Sequence, residues 1–175
     1  MNHEVIDNFL PQKEFQEIQT PILDTCSSPG KLFSLRANLA WVYNHTIVSE
    51  DETKNGKYFY MMHPIFSNEM ILSSFYEKIK PVLQKLDAKA LIRIKANLFP
   101  NSEKVHEHDE HIDYSFSHKA AILYINTCDG YTKLEDGTKI DSVANRVLLF
   151  DASKSHCSTT TSNATARFNI NINYF

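Results

Sequence analysis

His111 and Asp113 stand one residue apart, and His156 follows 43 residues after Asp113. Two imidazoles and one carboxylate are the donor set that caps one face of an octahedron and leaves the opposite positions open, which suits a non-haem Fe(II) oxygenase. On an extended strand residues i and i+2 share a face, so segment 111–113 can offer both side chains to one ion while a second strand brings His156. The expected chemistry is therefore redox chemistry. Taken alone, a histidine and an aspartate in this spacing more often mark a solvated polar loop. The context is more specific: segment 124–126 begins eleven residues after Asp113, and Arg167 lies eleven residues after His156.

Side chains so far apart need a scaffold that brings them together. From residue 89 onward short apolar runs alternate with polar turns, at 91–98, 120–125, 147–150 and 168–174. Strands at such intervals predict a mostly β fold with flanking helices, a β-sandwich or a double-stranded β-helix (jelly roll). In the last run Phe168, Ile170, Ile172 and Tyr174 alternate with Arg167, Asn169, Asn171 and Asn173. One face must pack; the polar face is either an outer surface or the wall of a hydrated cavity. Upstream, residues 5–10 read as a strand leading into a helix over Phe15, Ile18 and Ile22 that Pro21 kinks or ends. Residues 32–48 read as one or two strands, 49–57 as a polar loop and candidate lid, and 70–86 as a helix bent at Pro81. A single domain is expected, with residues 1–88 buttressing a jelly-roll core at 89–175.

Composition narrows the function classes. The 175 residues are 42% hydrophobic, and 18 basic against 21 acidic side chains give a net charge of −3. With a pI near 6.2 there is no broad basic surface for a phosphate backbone, so no nucleic-acid partner is expected. Cys26, Cys128 and Cys157 are odd in number and widely spaced, which predicts a reducing, cytoplasmic setting. No apolar run is long enough for a signal peptide or membrane span, so neither export nor a membrane is expected.

The runs HIDYSFSHKAAILYIN (111–126), GYTKLEDGTKIDSVANRVLLFDASKSHC (130–157) and ARFNININYF (166–175) resemble the 2-oxoglutarate- and Fe(II)-dependent oxygenase superfamily. They are most similar to compact prolyl-4-hydroxylase-like members, including those met in phage genomes. The resemblance covers 89–175 by motif and the N-terminal half only in layout. It implies that His111, Asp113 and His156 form the catalytic iron site, and that Arg167 pairs with the far carboxylate of 2-oxoglutarate through its planar fork. It gives Tyr124 the role of assisting that carboxylate. Asn126, closing the same segment, either stabilises a turn or contributes to the co-substrate site. The implied reaction consumes O2 and 2-oxoglutarate, yields succinate and carbon dioxide, and hydroxylates an unactivated C–H bond, with ascorbate as a stimulant. A prolyl residue of a peptide or protein is the substrate suggested by analogy, with small molecules open, and the setting is the cytoplasm (the host's, for a phage protein).

The chain departs from the family pattern in places. The glycine pair that commonly follows the LYLN segment is here Asp129-Gly130-Tyr131-Thr132, with one glycine. Arg146 is a rival for the co-substrate, with a structural or surface role as its alternative. His106, His108 and His111 could form a zinc site, or their charged run could be a solvated loop. His118 either touches substrate or caps a turn. A cupin-like metal enzyme without 2-oxoglutarate, or a non-catalytic binding module, stand as the other classes.

Overall fold

The computed structural model describes residues 3–27, 39–45 and 58–175. Two antiparallel sheets face each other. The larger runs in the order β1 (His3–Ile6), β9 (Val147–Asp151), β6 (Lys119–Tyr124), β11 (Ala166–Tyr174), β5 (Leu91–Pro100), β3 (Tyr60–Ser67) and β2 (Val42–Asn44), with β4 (Met70–Ile71) paired to β3. The smaller holds β10 (His156–Ser158), β7 (Tyr131–Leu134) and β8 (Lys139–Asp141). This is the expected jelly roll, and strands β1, β2 and β3 of the N-terminal half extend its larger sheet.

Period-2 alternation makes each central strand serve two cores. Outward side chains such as Ile94, Leu123, Ile170 and Ile172 join Phe15, Ile18 and Ile22 of α1 (Gln12–Ser27) and Ile79 and Val82 of α2 (Tyr76–Leu86) in one cluster. Inward side chains, among them Ile122, Leu148 and Phe150, meet Leu134 and Ile140 of the smaller sheet. The outer core clamps the large sheet against the helices, and the inner core holds the two sheets at the spacing a cavity needs.

The two helices decide two expectations. Pro21 does not end α1, which continues to Ser27. An interior proline costs about 3 kcal/mol, but Ile18 and Ile22 beside it are fully buried, and burial at roughly 1.5–3 kcal/mol per large side chain outweighs that cost. The helix expected over 70–86 begins only at Tyr76. Asn68 and Glu69 both adopt positive φ (51° and 61°) and return Met70–Ile71 onto β3 as a hairpin, a backbone twist that suits antiparallel strands. Of the 32–48 stretch only β2 is a described strand, and the candidate lid at 49–57 lies outside the described residues.

Candidate active site

The segment carrying His111 and Asp113 is not a continuous strand. It is pinned to the smaller sheet and its neighbouring turn by single bridges: His111 N–H donates to His156 O (2.9 Å), His156 N–H to His111 O (3.0 Å), and Asp113 N–H to Ala152 O (3.0 Å). The reciprocal pair places the two imidazoles side by side, with ring centroids 4.5 Å apart. One ligand atom from each of His111, Asp113 and His156 falls within 4.8 Å of the others, the one such group found among the described residues.

Each donor is prepared for a cation. His156 Nδ1–H donates to Lys154 O at 3.0 Å, which fixes the tautomer and leaves the Nε2 lone pair free. Burial, helped by His156, lowers His111 to about 4, and burial likewise lowers His156, so both imidazoles are neutral at pH 7, as ligation requires. Burial alone would raise Asp113, but the Arg93 guanidinium and the Asn173 amide outweigh it and hold the carboxyl well below its ordinary range. Arg93 Nη2 donates to Oδ1 at 2.8 Å, and Asn173 Nδ2 to Oδ2 at 2.8 Å. Asn173 Nδ2 also faces His118 Nε2 at 3.1 Å, while His118 Nδ1–H donates to Phe116 O at 2.9 Å. His118 therefore caps its turn and, through Asn173, steadies Asp113.

Arg167 lies on the inward face of β11 and is completely buried. Its guanidinium donates to Thr132 Oγ1 (3.0 Å) and Thr159 O (3.3 Å), and Nε has no partner. Among the described residues no carboxylate pairs with it. An unpaired buried charge is costly, and a ligand carboxylate would relieve that cost. Gly130 makes the space: a Cβ there would lie 2.6 Å from Arg167 Cδ and 2.6 Å from Thr160 O. The single glycine of the 129–132 turn is therefore the one the arginine needs. Tyr124 O–H donates to the same Thr132 Oγ1 at 2.8 Å, and its ring lies 5.6 Å from the guanidinium carbon. His111, Asp113, His156, Thr132, Asn97, Asn169 and Asn171 line one cavity. The donor set suits Fe(II), and the buried unpaired arginine suits a dicarboxylate co-substrate.

Other candidates are placed elsewhere. Asn126 uses both ends of its amide on β11, donating to Ala166 O (2.9 Å) and accepting from Phe168 N–H (2.8 Å). It braces a strand, the stabilising role of its two alternatives. Arg146 grips both oxygens of Asp7 (2.6 and 3.0 Å), away from the cavity. The 106–108 run is not a solvated loop: His108 is buried and His106 stacks on Tyr58 at 3.8 Å. Sequence reasoning missed Arg93, Thr132, Lys95 and Asn97. The alternation of Arg93, Lys95, Asn97 and Phe99 with Ile94, Ala96 and Leu98 was the available signal.

No protein-family model matches the chain, and no curated protein sequence does. Solved structures do match. A 2OG-Fe(II) oxygenase family oxidoreductase from Burkholderia pseudomallei aligns with a TM-score of 0.70 at 11% identity, over 98% of this chain and 84% of that one. A Trichoplax adhaerens prolyl hydroxylase, solved with a hypoxia inducible factor oxygen degradation domain peptide fragment, aligns at 0.64 and 19% identity, over 99% and 83%. The viral collagen prolyl hydroxylase of Paramecium Bursaria Chlorella virus-1, in its 2OG complex, aligns at 0.52 and 12%, over 100% and 97%. At these identities the likeness is one of fold: the chain has the jelly roll of compact prolyl-4-hydroxylase-like 2-oxoglutarate oxygenases.

Proposed function

We propose that the chain is a single-domain, Fe(II)- and 2-oxoglutarate-dependent dioxygenase, spanning residues 1–175, that hydroxylates an unactivated C–H bond. The observation that carries the reading is a two-histidine, one-carboxylate cluster lining a cavity together with Thr132, which accepts from a buried arginine that has no carboxylate partner among the described residues. When bound, iron and 2-oxoglutarate supply the oxidising power, using O2. His111, Asp113 and His156 hold the ion, and Arg93 and Asn173 keep the carboxylate ionised and oriented. Arg167 receives the far carboxylate of 2-oxoglutarate. Tyr124 and Thr132 hold Arg167 in place, while Phe99 and Ile122 narrow the cavity and limit water.

The prolyl hydroxylases of the same fold make a prolyl ring the first substrate to test, with ascorbate included as a stimulant. Buried, free Cys128 and Cys157 support the reducing cytoplasm as its setting. No helix among the described residues is long and apolar enough to cross a membrane.

The test is an anaerobic titration with Fe(II) and 2-oxoglutarate, reading the visible charge-transfer band of the ternary complex. The band is expected in the parent and absent in Asp113→Ala. Metal binding without a band would favour a cupin-like enzyme, and binding of neither would leave the fold as a scaffold.

A further inference from the structure

Strands β5 and β11 pair so that Phe99, Asn97, Lys95 and Arg93 stand opposite Arg167, Asn169, Asn171 and Asn173. Opposed residues of an antiparallel pair share a face, so these form two rows on the inward face, of which Lys95, Asn97, Phe99, Asn169 and Asn171 line the cavity. The rows carry two cationic poles. Arg167 is one. Lys95, opposite Asn171, is the other, roughly 13 Å further along the strand direction at about 3.3 Å per residue. Its neighbour Arg93 is occupied by Asp113 at 2.8 Å. Lys95 has no carboxylate partner among the described residues, and its ammonium rests 5.5 Å from the Tyr60 ring centroid.

Two acceptors in the same cavity are also unsatisfied. Asn97 Oδ1 and Asn171 Oδ1 are buried without a hydrogen-bond partner. The Asn171 amide is oriented by chemistry, because its Nδ2 faces Asp113 Oδ2 (3.3 Å) and a carboxylate only accepts. Asn97 Nδ2 donates to Asn169 Oδ1 at 2.9 Å. The second pole therefore offers one cation and two acceptors. 2-Oxoglutarate carries no N–H, and Arg167 already serves its far carboxylate. A prolyl residue inside a peptide itself has neither a carboxylate nor an N–H, so it would leave the two buried acceptors unmatched and Lys95 without a counter-charge. A free α-amino acid supplies both complements.

We propose that this end of the cavity is the primary-substrate subsite for a free α-amino or imino acid. Its carboxylate pairs with Lys95, and its N–H groups donate to Asn97 and Asn171. The stacked rings of Tyr60 and Phe99, 5.7 Å apart, form an apolar wall for the side chain. This inference rests on the oxygenase reading, since it takes Arg167 as the co-substrate pole.

The experiment is calorimetric titration of the Mn(II)-loaded protein, with and without 2-oxoglutarate, using L-proline and the other common L-amino acids, the carboxamide of each binder, and a proline-containing peptide. At least one free amino acid should bind, and its carboxamide should bind at least about tenfold more weakly, the scale of one charge-assisted hydrogen bond. Lys95→Met and Lys95→Gln should abolish that preference with 2-oxoglutarate affinity unchanged, in variants whose melting matches the parent. Peptide binding without amino-acid binding would overturn the proposal. So would a Lys95 variant that loses 2-oxoglutarate as Arg167→Met does. Failure of the parent to bind 2-oxoglutarate would instead overturn the oxygenase reading, and amino-acid binding lost in Lys95→Met would still establish the subsite.

Discussion

The two faces of β11 are equally buried and have opposite needs. Phe168, Ile170, Ile172 and Tyr174 face the helices and require only shape. Arg167, Asn169, Asn171 and Asn173 face the cavity at 0–7% exposure and require partners. Asn173 finds them in Asp113, His118 and Arg93. Arg167 does not find its anion, and Asn171 leaves its oxygen unused. An unmatched buried polar group costs about 1–3 kcal/mol, so a face that keeps several is held for a ligand. What separates core from site here is satisfaction, not burial.

Substitutions on the two faces should therefore fail differently. Phe168→Ala on the packing face removes a ring that also meets Trp41 at 6.0 Å, and should cost about 3–5 kcal/mol in urea unfolding. The surviving folded protein should keep its 2-oxoglutarate affinity. Arg167→Met on the cavity face should do the reverse. It should weaken 2-oxoglutarate by about 2–5 kcal/mol, read by calorimetry, and should leave the melting temperature of the metal-free protein unchanged or raised, because an apolar side chain replaces an unpaired buried charge. A large stability loss in Arg167→Met would erase the distinction between the faces.

Asn173→Ala sharpens the comparison on the cavity face itself. The carboxylate keeps Arg93 at 2.8 Å and Asn171 at 3.3 Å but loses the shorter of its two Oδ2 donors, and His118 loses its link to the site. Partners of this kind tune ligands by about 10–100-fold in metal affinity. Weaker Fe(II) or Mn(II) binding with unaltered 2-oxoglutarate contacts at Arg167 is the expected outcome; metal affinity equal to the parent's would assign Asn173 to packing alone.

Much of this arrangement was legible beforehand. Alternation around Phe168 and Asn169 announced a two-faced strand, and the spacing of His111, Asp113 and His156 pointed to one ion. Three things were not. Burial of Ile18 and Ile22 carried α1 through Pro21, since tertiary packing outweighs local propensity. Positive φ at Asn68 and Glu69 made a hairpin where helical periodicity had seemed to run on. Nothing in the sequence separates Lys95 and Arg93 from solvated charges on a β strand, because only the pairing of β5 with β11 turns them inward.

The cavity end of the molecule should also control its acid sensitivity. Burial lowers His108 to about 3 and His111 to about 4, against an ordinary value of 6.5. As pH falls past 6.5 the unfolded chain takes up these protons while the folded chain refuses them. Stability is therefore full above that point, declines as pH drops toward 4, and levels once the folded histidines protonate. Each such histidine contributes on the order of 1.4 kcal/mol per pH unit within the window. Asp113 has the same sign but acts lower, below the ordinary carboxylate range near 3.8. Urea midpoints of the metal-free protein should trace this slope, and His108→Phe, with an aromatic ring kept against Phe99, should make it shallower. A parent profile flat across the window would show that neither imidazole is held neutral by the fold.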